Sequence, residues 1–216
     1  MAEFIVEITK NKPISQVLDL NADTGRLSFE LASHFDSVTA LDMSARFIRM
    51  PIQLQEKGFI RYIVKDEGEL VFYREVVLSD FGLDTGKLNI QFMQDNANNL
   101  KPIYTDYDLI VVPNLLEELI CPILFLKSIH ERLNENGLLI IASTYEWEIN
   151  NVKREHWPGG FKQDGEPITS LEGIQHILSP NFDMISEPKD LIFSLRKSSR
   201  ISEQRTSQVS VWRKKN

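Results

Sequence analysis

Short apolar runs recur along the chain through residue 143. Val17–Leu20 is the first, too brief for a helix and shaped like a buried strand. It runs into the turn Asn21–Arg26. Behind the turn, Leu27, Leu31, Ala32 and Phe35 recur close to helical spacing. Val38–Leu41 reads as a second strand ending at Asp42. Ser44 is placed to cap a helix through Lys57, with Gly58 as its stop. Leu88–Gln94 alternates apolar and polar positions and leads to Asp95. Tyr107–Val112 is almost continuously apolar, as a strand buried on both faces must be. A helix is predicted from about Pro122 to Leu133, then an Asn136-Gly137 turn, then a buried strand at Leu138–Ser143.

The remaining stretches depart from this alternation. Residues 1–15 hold an apolar cluster (Phe4, Ile5, Val6, Ile8) ending at Pro13, a packing helix or strand at one sheet edge. Leu70–Leu78 is dense in β-branched and aromatic residues, an added strand or hairpin arm. Residues 144–168 form a long connection rich in aromatics, Gly and acids, and connections of that length usually carry function. Ser170 is placed to cap a short helix to Leu178. Phe182–Ser186, Leu191–Arg196 and Gln208–Arg213 then read as strands with no helix between them. Strands alternating with helices predict an α/β, Rossmann-like fold with helices on both faces. The expectation is a mostly parallel seven-stranded sheet ending in an antiparallel pair. We expect a single domain over 1–216, with insertions at about 59–87 and 144–168.

Composition narrows the function classes. The formal net charge of −7 argues against a nucleic-acid partner, which needs clustered Lys and Arg. The basic C-terminal residues (Arg196, Lys197, Arg200, Arg205, Arg213, Lys214, Lys215) read as a solvated edge. The single cysteine, Cys121, precedes Pro122 at a helix start and excludes an internal disulfide. There is no signal-peptide pattern and no apolar run long enough to span a bilayer, so we expect a cytoplasmic protein without membrane contact. His34, His130 and His176 fall on predicted helices, and no metal-ligand pattern links them.

The chemistry concentrates at strand ends. In open α/β sheets, ligands bind beyond the carboxyl ends of parallel strands. A dinucleotide site places three glycines in the first turn, whereas Asn21–Arg26 holds only Gly25. That disfavours a nicotinamide oxidoreductase. A phosphate-free cofactor such as S-adenosylmethionine asks less of the turn. Asp19 or Asp23 suits its amino group, and Asp42, with Met43 beside it, suits the ribose hydroxyls. Asp95 suits the exocyclic amine of adenine, with Asn96 and Ala97 beside the ring. Asn21 and Ala22 complete the turn, and Pro113 and Asn114 close the next strand at the usual reaction locus.

Beyond these features the chain resembles class I S-adenosylmethionine-dependent methyltransferases. More narrowly it resembles the 4-mercaptohistidine (5-thiohistidine) N1-methyltransferase family, the methyltransferase domain of ovothiol synthase. The matching segments are FELASHFDSVTALDMSARFI (29–48), DEGEL (66–70), YDLIVVPNLLEEL (107–119), FLKSIHERLNENGLLIIAST (125–144), HWPGGFKQDGE (156–166), LEGIQHIL (171–178), EPKDLIFSLR (187–196) and VSVWRK (209–214). WPGGFKQDGE and EPKDLIFSLR are the most specific. One departure stands out. Relatives carry a Gly-Cys-Ala-Val-Gly type turn where this chain has Asn21-Ala22-Asp23-Thr24-Gly25. Asn replaces a glycine suited to positive φ, and it enters the left-handed region more easily than most residues.

The resemblance implies N-methylation of the imidazole of 5-thiohistidine in ovothiol A biosynthesis, with S-adenosylhomocysteine as the other product. In the fused members of the family the chain resembles, sulfoxide synthase domains precede this one. This chain begins almost at the methyltransferase, so a separate synthase is the expected partner. The substrate is small, aromatic and zwitterionic. Tyr145, Trp147, Trp157 and Phe161 are candidates to wall its ring. Glu146, Glu148, Asp164 or Glu166 would bind its ammonium, and Lys162 or Arg196 its carboxylate. Asn114 and Tyr145 are candidates at the reacting ring, and His156 is the nearest base by type. Trp212 reads as core. Two alternatives stay open: a methyltransferase for another small molecule, and a methyltransferase-fold scaffold that has lost catalysis and binds a synthase.

Overall fold

The computed structural model describes residues 1–216. Helix α1 spans Ala2–Thr9, and strand β1 (Gln16–Leu20) leads through the predicted turn into α2 (Arg26–Ala32). Strand β2 (Ser37–Asp42) is followed by α3 (Ala45–Lys57). The Ser44 hydroxyl accepts the Phe47 N–H at its start, and Gly58 ends it at φ 76°. Strands β3 (Phe59–Lys65) and β4 (Val71–Val77) form a separate antiparallel hairpin. Next come β5 (Ile90–Gln94), β6 (Tyr107–Pro113), α4 (Pro122–Ser128) and β7 (Leu133–Ser143). A small hairpin, β8 (Phe161–Gln163) with β9 (Glu166–Ile168), precedes α5 (Ser170–Leu178). Strands β10 (Phe182–Met184), β11 (Lys189–Arg196) and β12 (Ser202–Lys214) finish the chain.

The main sheet runs β10-β12-β7-β6-β1-β2-β5, with β11 also on β12. The five strands from β7 to β5 are mutually parallel, and β12 is antiparallel to β7. Lys214–Trp212 pair with β10, and Val209–Ser202 pair with β11, on the side of β12 away from β7. Eight strands therefore fill seven places, and the predicted antiparallel end is present. Side-chain alternation divides the core by face. Val17, Leu109, Val111 and Ile140 pack toward the side of α2 and α3, while Leu18, Ile110, Ile141 and Trp212 pack toward α4 and α5. No helix is long and apolar enough to cross a membrane.

Several boundaries differ from expectation for identifiable reasons. The predicted α4 stops at Ser128, and Ile129–Arg132 tightens into a 3-10 turn. Asn136-Gly137 is an irregularity inside β7, with Asn136 at φ 60°, where the pairing with β6 shifts between Tyr107 and Leu109. The cap of α5 is Thr169, not Ser170. Its hydroxyl accepts from Glu172 N–H while the Glu172 carboxylate accepts from Thr169 N–H, a capping box. Within 59–87 the unpredicted arm is β3. At the tips, Ser199 N–H of the β11–β12 turn donates to Lys65 O at 3.1 Å, and Arg200 reaches Glu67 at 2.7 Å. The inserted hairpin thus meets the C-terminal one.

Candidate functional site

The first turn is built from left-handed residues. Asn21, Asp23 and Gly25 have φ of 79°, 48° and 85°. Asn21 adopts the conformation anticipated for it, and Asp23 adds a second non-glycine position of the same kind. Asn21 N–H and Ala22 N–H both donate to Leu41 O at 2.9 Å, so the turn folds over the end of β2. Gly25 cannot carry a side chain, because a Cβ there would lie 2.5 Å from Pro51 Cβ on α3. Asn21 Nδ2 donates to Pro113 O at 3.0 Å, which ties the turn to the end of β6.

A cavity of about 390 Å³ opens at the carboxyl ends of β1, β2 and β5. Asn21, Asp23, Asp42, Met43, Asp95, Asn96 and Ala97, all candidates from the sequence, line it together with Phe47 and Glu118. Asp42 Oδ2 accepts Asp23 N–H at 2.9 Å and its Oδ1 accepts Ser44 N–H at 2.7 Å, so each oxygen keeps a free lone pair. Burial works against the Asp95 anion. Lys101, the Asn96 N–H and the Tyr104 hydroxyl outweigh it and hold that carboxyl below its usual value. The Tyr104 hydroxyl is itself pushed up to about 12, by burial and by Asp95. Asp23 and Glu118 are raised, first by burial and then by the Asp42 charge. No Lys or Arg lines the cavity. Such a site opposes phosphate and suits a cationic, phosphate-free ligand with hydroxyl and amine donors. S-adenosylmethionine fits that description, and Met43, Phe47 and Leu119 give the cavity apolar walls.

A wider groove of about 940 Å³ adjoins the cavity, sharing Asn21, Asp23 and Glu118. Ala22, Pro113 and Asn114 line it, as do Glu146 and Glu148. Asn114 sits at φ 49°, and its Oδ1 accepts the Ser207 hydroxyl at 2.6 Å. The groove also holds Glu117, which the sequence reading passed over. Its Oε1 accepts from Ser143 Oγ (2.6 Å), Thr144 N–H (2.8 Å), Thr144 Oγ1 (3.1 Å) and Tyr145 N–H (2.9 Å). This acid pins the exit of β7. The signal available in sequence was its bracketing by Leu115, Leu116 and Leu119, all buried, directly after a strand.

Other expected residues lie elsewhere. Asp19 is fully buried and lines neither space. Its Oδ2 accepts from Ser28 Oγ at 2.6 Å, and burial pushes its carboxyl up to about 6. Gly25 also lies behind the turn rather than in the cavity. Burial, then the Glu117 charge, raises the Tyr145 phenol and keeps it neutral, a donor rather than a base. Its OH lies 3.2 Å from Gln208 Oε1. Trp147, Trp157, Phe161, Lys162, Arg196 and His156 line neither the cavity nor the groove. Trp147 stacks on Trp157 at 6.4 Å and donates to Ser170 Oγ at 2.8 Å, while Trp157 donates to Val152 O. A Cβ on Gly159 would lie 2.2 Å from Thr169 O, and one on Gly173 would lie 1.7 Å from Pro158 O. The WPGG segment is therefore a clasp that seats the 144–168 connection on α5. Indoles anchor a loop as readily as they wall a ligand, and residue type alone does not tell the two apart.

A family model described as a methyltransferase domain matches residues 1–181. No curated protein matches the chain in sequence. Solved structures are similar over its whole length. One was reported for the conversion of a disulfide bond into a thioacetal group during echinomycin biosynthesis; it is 13% identical, covers 99% of this chain and 80% of its own, and has a TM-score of 0.64. A SAM-dependent methyltransferase from Methanosarcina mazei is 16% identical over 97% of each chain, at a TM-score of 0.61. The N-methyltransferase NodS of Bradyrhizobium japonicum, solved with S-adenosylhomocysteine, is 12% identical over 99% of this chain and 85% of its own, at 0.58. With the strand order, the cavity at the strand ends and a family match across most of its length, the chain belongs to the methyltransferase-domain family: it is a methyltransferase of the S-adenosylmethionine-dependent fold.

Proposed function

We propose that this methyltransferase moves a methyl group from S-adenosylmethionine to an imidazole nitrogen of 5-thiohistidine, the chemistry of ovothiol A formation. The observation that carries the reading is the acid-lined, lysine- and arginine-free cavity that opens at Asn21 and Asp23 into a second acidic groove. One space suits a sulfonium cofactor and the other a small substrate bearing N–H donors. The resemblance through WPGGFKQDGE and EPKDLIFSLR names the substrate, and the similar fold of NodS, an N-methyltransferase, agrees with a nitrogen acceptor. We take 1–216 as one catalytic domain with insertions at 59–87 and 144–168. A sulfoxide synthase would supply the substrate, as in the family the chain resembles.

The cofactor supplies a methyl already activated on sulfur, so the chain's task is to place the nucleophile and exclude water. Asp42 would accept from the ribose hydroxyls and Asp95 from the adenine amine. Asn114, held by Ser207, would hydrogen-bond the substrate ring. Glu146 and Glu148 would take its ammonium, and Arg205, also in the groove, its carboxylate. Incubation with S-adenosylmethionine and 5-thiohistidine, followed by mass spectrometry, is expected to give a product one methyl heavier. Methyl transfer to other small imidazoles or amines but not to 5-thiohistidine would sink the substrate assignment and leave the class intact.

The Asn21–Pro113 bond favours a second reading, a scaffold whose turn has closed on itself. Calorimetry with S-adenosylhomocysteine decides between them, since a scaffold need not bind it.

A further inference from the structure

Glu117 has more bonding capacity than its structural task uses. The residue is only 7% exposed. All its donors, from three consecutive residues at the end of β7, converge on Oε1. That network fixes the carboxylate plane, and Oε2 diverges from it. Oε2 is buried without any partner, in a residue that lines the groove. Buried carboxylate oxygens are rarely left unpaired, because the desolvation has no return. No cation in the structure meets it. Arg26 is paired with Glu30, and Arg205 with Glu203 and Glu146. The other acids of the site are differently placed. Both Asp42 oxygens hold backbone N–H groups, Asp95 holds Lys101, and Asp19 faces neither space.

We infer that Glu117 Oε2 accepts the ring N–H of an imidazole substrate and so selects which ring nitrogen is methylated. The inference rests on the methyl-transfer reading above. A neutral imidazole has one N–H and one lone pair. Holding the N–H at Glu117 fixes the tautomer and leaves the other nitrogen free to attack. The N–CH₃ bond forms as the S–CH₃ bond breaks, and sulfur keeps the bonding pair. The positive charge passes to the ring, whose remaining N–H then faces an anion, a stronger charge-assisted bond. The ring proton leaves through Glu117 to water, so the net products are N-methylimidazole, thioether and one proton. Glu118, at the rim shared with the cavity, adds to the negative field.

Glu117→Gln tests this, because the amide oxygen can still take the Ser143–Tyr145 donors while an NH₂ replaces Oε2. With 5-thiohistidine, the variant is expected to lose about 10- to 100-fold in kcat/KM. Its residual product should become a mixture of two N-methyl isomers by NMR, while S-adenosylhomocysteine affinity stays near wild type. A single isomer formed at a near wild-type rate would overturn the inference. A second measurement uses the wild-type protein loaded with S-adenosylhomocysteine, titrated with imidazole and with 1-methylimidazole, which has no N–H. Imidazole is expected to bind about tenfold more tightly. Equal affinity, or no binding of imidazole, would overturn it. This contrast holds even where 5-thiohistidine proves not to be the substrate, so the two readings fail separately.

Discussion

Two stretches supply most of the candidate residues read from the sequence, and they do opposite things. The turn Asn21–Gly25 with Asp42 and Asp95 is chemically plain, yet it frames the cavity. The connection 144–168 is rich in tryptophan, charge and glycine, yet its most distinctive part closes on α5 as a clasp. The difference is topological. Side chains at the carboxyl ends of β1, β2, β5 and β6 have no helix beyond them to cover, so their polar atoms face an opening. The tryptophans sit in a connection that must return to the body of the fold, and an apolar surface was within reach. Glu146 and Glu148, in that same connection, stay close to the end of β7 and do reach the groove.

Glycine substitutions give the largest expected contrast. Gly173→Ala drives a Cβ to 1.7 Å from Pro158 O. It is expected to cost about 3 kcal/mol or more by overpacking, read as a large fall in Tm. S-adenosylhomocysteine affinity of the folded fraction should hold. Gly25→Ala combines a left-handed backbone with a 2.5 Å approach to Pro51. Its expected cost is about 2–3 kcal/mol, with weakened ligand affinity as well. A wild-type melt for Gly173→Ala would mean that the clasp does not exist.

Asp19 separates acids that hold the turn from acids that face the ligand. Its carboxyl is raised from 3.8 to about 6 by burial, which disfavours the anion. Below pH 4 it is protonated in both the folded and unfolded chain and costs nothing. Between pH 4 and 6 the unfolded chain releases a proton that the folded chain retains, so stability falls as pH rises through the folded value. Asp19→Asn should therefore melt like wild type at low pH. Above pH 6 it should be more stable by about 1–2 kcal/mol, with Ser28 still bonded. A variant destabilised at pH 8 would show that the Asp19 anion has a stabilising partner.

Asp42 is the converse case. Asp42→Asn keeps one acceptor and sets an NH₂ against the Asp23 or the Ser44 N–H in place of the other. Calorimetry should show S-adenosylhomocysteine binding weakened about tenfold, from the loss of one charged acceptor. Unchanged affinity would move the ribose contact away from β2 and weaken the contrast between the two stretches.

Most of the sheet was legible because strands buried on both faces leave continuous apolar runs, as at Tyr107–Val112, closed by turn residues. The inserted hairpin was half legible. Val71–Val77 stood out by β-branching, whereas Phe59–Lys65 mixes Arg, Tyr and Lys into an exposed arm with no buried residue. The cavity was legible because strand ends can be counted along a chain. The groove was less so, since it depends on which way a connection folds. Glu117 escaped notice because adjacent glutamates read as solvated surface, and only the packing of Leu116 and Leu119 turns one of them inward.

Asn21→Gly should have the smallest effect and the sharpest meaning. Glycine relaxes a left-handed backbone, a gain of about 1 kcal/mol. It also removes the Nδ2 bond to Pro113 O, a loss of about 1 kcal/mol. The two nearly cancel, so Tm should move by only a few degrees in either direction. Ligand affinity is where they do not cancel. Pro113 O, 3.0 Å from Nδ2, would become free to accept from a ligand ammonium in the adjoining space. S-adenosylhomocysteine should then bind about threefold more tightly, since one neutral acceptor is added. Weaker binding would mean that the Asn21 side chain is itself part of the site. The turn would then hold its cofactor through a carboxamide rather than through bare backbone.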